Sequence, residues 1–89
     1  MKMNDTETGA FFEAVLKLKT PEDCRKFFED VCTIKEVQSM SQRLEVARLL
    51  KAGNTFTAIE ESTGASSATI SRVNRCLQYG NGGYGLVLE

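Results

Sequence analysis

The side chains with most chemistry to offer in this 89-residue chain lie between Gly64 and Leu77, GASSATISRVNRCL. Ser66, Ser67, Ala68, Thr69 and Ser71 are all short, and Arg72 and Arg75 add long cations with no acidic residue in the stretch. On a helix Ser67, Ala68, Thr69, Ser71, Arg72 and Arg75 share the face opposite Ile70, Val73 and Leu77, which recur at three- and four-residue spacing. Hydroxyls and guanidinium groups arranged in this way suit phosphate oxygens and base edges in a major groove. They are not a set that breaks bonds.

Little else in the chain could do catalysis. There is no histidine, no Gly-x-Ser-x-Gly elbow and no Gly-x-x-x-x-Gly-Lys phosphate loop. Glu60 and Glu61 are adjacent, but neighbours at i and i+1 point to different sides of a helix and make a poor acid/base pair. Cys24, Cys32 and Cys76 form an odd set without Cys-x-x-Cys spacing, and without histidine there is little from which to build a zinc site. They are expected to be reduced and mostly buried as small apolar residues. No catalytic residue, metal site or cofactor is assigned, and the chain reads as a non-enzyme.

The elements that must hold Ser66 to Arg75 in place are two short helices joined by a glycine turn, over residues 55–78. Phe56, Ile59 and Glu60 belong to the first helix. Thr63-Gly64-Ala65 breaks it, Gly64 being free to take the positive φ of a sharp helix exit. Ser66 or Ser67 is the natural N-cap of the second. Ile59 lies five positions before the glycine, and Ile70 and Val73 lie six and nine after it, which is helix-turn-helix spacing. Glu60 departs from the pattern, because many such motifs carry a small residue there. Two amphipathic helices around a glycine also occur in proteins that touch no nucleic acid. The alternative reading is therefore a non-enzymatic protein-interaction module that exposes an apolar patch and binds no DNA.

Upstream, residues 10–53 read as dimerisation helices. Met1 to Glu7 is polar and expected to be frayed. A first helix is expected from Gly9 or Ala10 to Leu18, with Phe11, Phe12, Val15, Leu16 and Leu18 apolar. Thr20-Pro21-Glu22-Asp23 opens a second, with Thr20 as cap, Pro21 in the first turn and two carboxylates at the positive end of the helix dipole. Its face is Cys24, Phe27, Phe28 and Val31. Thr33-Ile34-Lys35-Glu36 has capping-box form and opens the longest periodic run. There Ile34, Val37, Met40, Leu44, Ala47 and Leu50 form a stripe, widened by Val46 and Leu49, that Gly53-Asn54 ends. Residues 80–89 form a glycine-rich tail, in which four glycines among six residues oppose a stable helix. The tail is expected to be loose or only partly helical.

Composition sets the outer bounds: one small all-α domain over residues 1–89, too short to bury a large core alone. The net charge is −1, so bulk electrostatics do not announce a nucleic-acid binder. The charges are unevenly placed, with eight acidic and six basic side chains in residues 1–36 against four and five in residues 37–89. DNA binding would thus rest on local cations and depend strongly on salt. No apolar run is long enough to span a membrane, and the N-terminus has no hydrophobic signal core, so a cytoplasmic protein is expected.

With the helix order laid out, the chain resembles the Trp repressor superfamily, and most closely its YerC/YecD branch. The stretches that carry this are Phe27-Phe28-Glu29-Asp30-Val31-Cys32-Thr33-Ile34, Ser41-Gln42-Arg43-Leu44-Glu45-Val46-Ala47-Arg48, and Thr63-Gly64-Ala65-Ser66-Ser67-Ala68-Thr69-Ile70-Ser71-Arg72-Val73. The resemblance implies an all-helical, intertwined homodimer whose two recognition helices address two halves of a double-stranded DNA site, acting as a bacterial transcriptional regulator, most simply a repressor. By position, Ser67, Ala68 and Thr69 match the family's base-facing residues, and Thr57 and Ser71 fall where backbone contacts are expected. In the Trp repressor the indole lies between two arginines. Arg72 matches the recognition-helix arginine, and Arg43 matches that of the central helix if one residue is inserted before the helix-turn-helix. The residue after the recognition-helix arginine is glycine there and Val73 here. A β-branched side chain would fill the space a flat ring needs, so tryptophan is not expected as effector of a pocket at Arg43, Arg72 and Val73. The two arginines could instead pair with Glu36, Glu45 or phosphate. The resemblance also implies a sixth helix, against which the glycine-rich tail argues.

Overall fold

The computed structural model describes residues 5–88, and among them all regular structure is helical. In order the helices are α1 (Asp5–Val15), α2 (Pro21–Val31), α3 (Ile34–Lys51), α4 (Phe56–Thr63), α5 (Ser67–Tyr79) and α6 (Gly83–Val87). Contacts divide the chain into two compact units, residues 1–37 and 38–89, with α3 running through the boundary.

The first unit is built by its caps. α1 begins at Asp5 and ends at Val15, displaced toward the N-terminus from the expected span. Asp5 and Glu7 sit in its first turn, where carboxylates favour the positive end of the helix dipole, so residues 5–7 are helical rather than frayed. Residues 1–4 of the stretch expected to fray lie outside the described residues. At the other end, Lys17 N–H donates to the Ala14 carbonyl (3.1 Å) and Leu18 N–H to Val15 (3.0 Å), tight i to i−3 turns that close the helix before Leu18. α2 starts as expected: the Thr20 hydroxyl accepts from Asp23 N–H at 3.0 Å, while Asp23 Oδ2 accepts from Lys19 N–H at 3.2 Å. At α3, Thr33 N–H donates to Glu36 Oε1 (2.7 Å) and Glu36 N–H to Thr33 Oγ1 (3.1 Å), a complete capping box. Phe11, Phe27 and Phe28 form an aromatic cluster, Phe27 and Phe28 meeting edge to face at 5.3 Å. No described residue of this unit is buried.

The second unit holds the core. Val46 and Ala47 of α3, Ile59 of α4, Ala65 of the turn, and Ile70 and Val73 of α5 are all buried, with Leu49, Leu50, Leu77, Tyr84 and Leu88 packed around them. Each of the four largest, Ile59, Ile70, Val46 and Val73, contributes about 1.5–3 kcal/mol by leaving water. This corrects the expected α3 stripe. Val46, expected only at its edge, is central, whereas Ile34 (71% exposed), Met40 and Leu44 stay open within one chain. Gly53 takes a φ of 91° and Asn54 donates to the Leu49 carbonyl through both its N–H (3.1 Å) and its side-chain amide (3.0 Å), ending α3 where expected.

The glycine-rich tail is partly helical, one of the two forms expected for it: it contains the five-residue α6, the sixth helix its glycines argued against. Gly82, at φ 79°, makes the left-handed step into it, and Tyr84 and Leu88 anchor it on the core, so tertiary packing overrides poor helix propensity. The cysteines are free, but Cys24 and Cys76 are exposed and only Cys32 is partly covered, so they are not core residues of a single chain.

Candidate nucleic-acid interface

Local hydrogen bonds shape the α4-turn-α5 unit. Thr55 caps α4, its hydroxyl accepting from Ala58 N–H at 3.1 Å. Gly64 follows in the left-handed conformation, φ 75° and ψ 4°, and its N–H returns to the Glu60 carbonyl. The Glu60 side chain is exposed, and the small buried residue of the turn is Ala65, so the departure at Glu60 costs no packing against α5. Ser66 is the N-cap of α5. Its hydroxyl accepts from Thr69 N–H at 3.1 Å and donates to Thr69 Oγ1 at 3.1 Å.

Ile70 and Val73 anchor one side of α5 in the core, and Ser67, Ala68, Ser71, Arg72 and Arg75 are exposed. The structure thus brings the expected residues of α5 together on its outer side. Thr69 is half-buried at the edge, and Thr57 is exposed on α4. Neither Arg72 nor Arg75 is committed to an ion pair or side-chain hydrogen bond among the described residues. The carboxylates considered as partners for Arg43 and Arg72 are engaged elsewhere. Glu36 closes the capping box, and Glu45 holds Arg48 in a bidentate pair at 2.6 and 2.8 Å. Both carboxyls are held below the usual range, Glu36 by the Thr33 N–H and then its hydroxyl, Glu45 by the hydrogen bond from Arg48. Arg43, partly covered on α3, reaches Ser39 Oγ at 3.5 Å. Val73 is 1% exposed, a member of the core cluster.

One contact was not legible from spacing. Gln42 Nε2 of α3 donates to the Thr63 carbonyl at the end of α4 at 3.2 Å, across 21 residues of sequence. The only sequence signal was a polar residue beside an otherwise apolar helical stripe.

These features define a helix-turn-helix carried on a long central helix. The Trp repressor protein family profile matches residues 6–89. The uncharacterized protein YerC of Bacillus subtilis strain 168 is 54% identical over 88 residues, covering 99% of this chain and 85% of that protein. A crystal structure from Staphylococcus aureus, described as a candidate Trp repressor, superposes with a TM-score of 0.88 at 45% identity, covering 97% of this chain and 91% of the other. That of a TrpR-like protein from Eubacterium eligens ATCC 27750 gives 0.86 at 52% identity, with 91% and 90% covered. The chain belongs to the Trp repressor family, within its YerC-like branch.

Proposed function

We propose that this protein is a homodimeric, sequence-specific DNA-binding transcriptional regulator, most simply a repressor. The observation that carries the reading is the outer side of α5, where short polar side chains and the uncommitted cations Arg72 and Arg75 stand opposite a buried anchor of Ile70 and Val73. Ser67, Ala68 and Thr69 meet base edges. Arg72, Arg75, Ser71 and Thr57 meet phosphates. Ser66 serves mainly as the cap. Because it donates to Thr69 Oγ1, the Thr69 hydroxyl keeps its own proton to offer a base acceptor, and its methyl suits thymine.

The dimer reading rests on apolar side chains that one chain leaves uncovered, among them Leu16 at 83% exposure, Val31 at 54% and Phe12 at 51%. A second copy that covered them would set two recognition helices about 34–36 Å apart, one turn of DNA. The reaction repertoire is binding alone. The compartment that suits such a regulator is the cytoplasm, and no helix among the described residues is long and apolar enough to cross a membrane. Selecting bound duplexes from random DNA with the purified protein tests the reading. It predicts recovery of a pseudo-palindrome, and recovery of no preferred sequence would overturn it.

A further inference from the structure

α4 and α5 can read DNA only if their turn is fixed against the helix that carries them. Three hydrogen bonds converge on that turn through one residue. The Thr63 hydroxyl donates to the Ile59 carbonyl at 2.6 Å and accepts from Ala65 N–H at 3.1 Å, and the Thr63 carbonyl accepts from Gln42 Nε2 at 3.2 Å. Ala65 is buried and immediately precedes Ser66, the cap of α5. A side chain on α3 is therefore linked through Thr63 to the backbone where the recognition helix begins.

We propose that Gln42 is a positioning residue that latches the helix-turn-helix to α3 and sets the angle at which α5 meets DNA, an inference that rests on the DNA-binding reading above. The chemistry suits the role. The last carbonyls of a helix have no partner within it, and Gln42 supplies a donor to the final residue of α4. A glutamine amide donates without adding charge, so it fixes the turn without competing with phosphate for Arg72 or Arg75. The apolar contacts of Ile59, Ile70 and Val73 hold the two helices on the core but are non-directional, whereas a hydrogen bond specifies register. Gln42 itself touches no DNA.

The test uses Gln42→Met, which keeps the length and removes the donor, beside Gln42→Glu, which turns an acceptor toward the Thr63 carbonyl. Without DNA, the amide of Ala65 in the full-length variants should exchange about tenfold faster, with α2 amides unchanged. With DNA, affinity for a selected duplex should fall about tenfold while binding to an unrelated duplex and the salt slope stay unchanged, because no phosphate contact is lost. Unaltered exchange at the turn, or equal losses on both duplexes accompanied by a smaller folded fraction, would overturn the latch. A wild-type protein that binds no duplex overturns the regulator reading instead, and the exchange measurement still decides whether Gln42 fixes the turn.

Discussion

Single side chains divide into those that build the helix-turn-helix and those that face outward, and the two kinds should fail differently. Ser66→Ala removes the cap of α5 and should cost about 1 kcal/mol of stability, read in a denaturant titration. Thr69→Ala should leave phosphate binding intact and relax preference at one base pair, by about 1–3 kcal/mol in competition between duplexes. Val73 belongs to the buried cluster, so Val73→Ala should destabilise the fold by about 2 kcal/mol. With Val73 filling that position, no slot for an indole is expected between Arg43 and Arg72. Calorimetry should then register no L-tryptophan binding at millimolar concentration, alone or with a selected duplex, and binding that strengthened the DNA complex would refute it. The caps at Thr20 and Thr33 were legible in sequence, and that of α5 to within one residue, Ser66 or Ser67, because each depends on a neighbour three residues away. The bond from Gln42 to Thr63 was not, because nothing local marks a donor aimed 21 residues downstream.

At the scale of elements, helix ends were set by short-range chemistry and the chosen faces by packing. α3 begins at a capping box whose Glu36 carboxyl lies below the usual range, held first by the Thr33 N–H. A depressed carboxylate favours the folded state above its unfolded pKa, and that contribution is lost as pH falls through the folded value. Glu36→Ala should therefore lower the thermal midpoint at pH 7, and its difference from wild type should shrink as pH falls below the ordinary glutamate value of about 4.3. Glu45 and Arg48 remain in both proteins, so the comparison isolates the cap. The turn after α4 was readable because Gly64 must adopt positive φ. The tail was legible only as loose or partly helical because α6 draws its stability from Tyr84 and Leu88 on the core, a tertiary term that a run of glycines conceals. Gly80 has a further reason to be glycine, since a Cβ there would meet the Cys76 carbonyl oxygen at 2.5 Å. The central place of Val46 on α3 was hidden for a similar cause. Periodicity finds an apolar stripe but not which part of it a chain covers itself, and this one covers Val46 and Ala47.

For the whole molecule, the main imbalance is between a small buried core and a large uncovered apolar surface. No described residue of the first 37 is buried, and within the second unit Leu44, Cys76, Tyr84 and Val87 line an open groove of about 430 Å³. A chain of this length buries only a modest fraction of its surface by itself, and the proposed second copy would cover these groups. Sedimentation should find a dimer at micromolar concentration, with no folded monomer on dilution, and a well-folded monomer would refute this. A dimer would in turn set what DNA binding should look like, since every contact would be made twice. Titration of a selected duplex across salt should give an affinity falling steeply with ionic strength. The Arg72→Ala and Arg75→Ala proteins should each bind more weakly, with a slope reduced by about two, one phosphate per protomer. Binding that ignores salt, or slopes identical in wild type and both variants, would contradict the claim that α5 is held against DNA by these two cations.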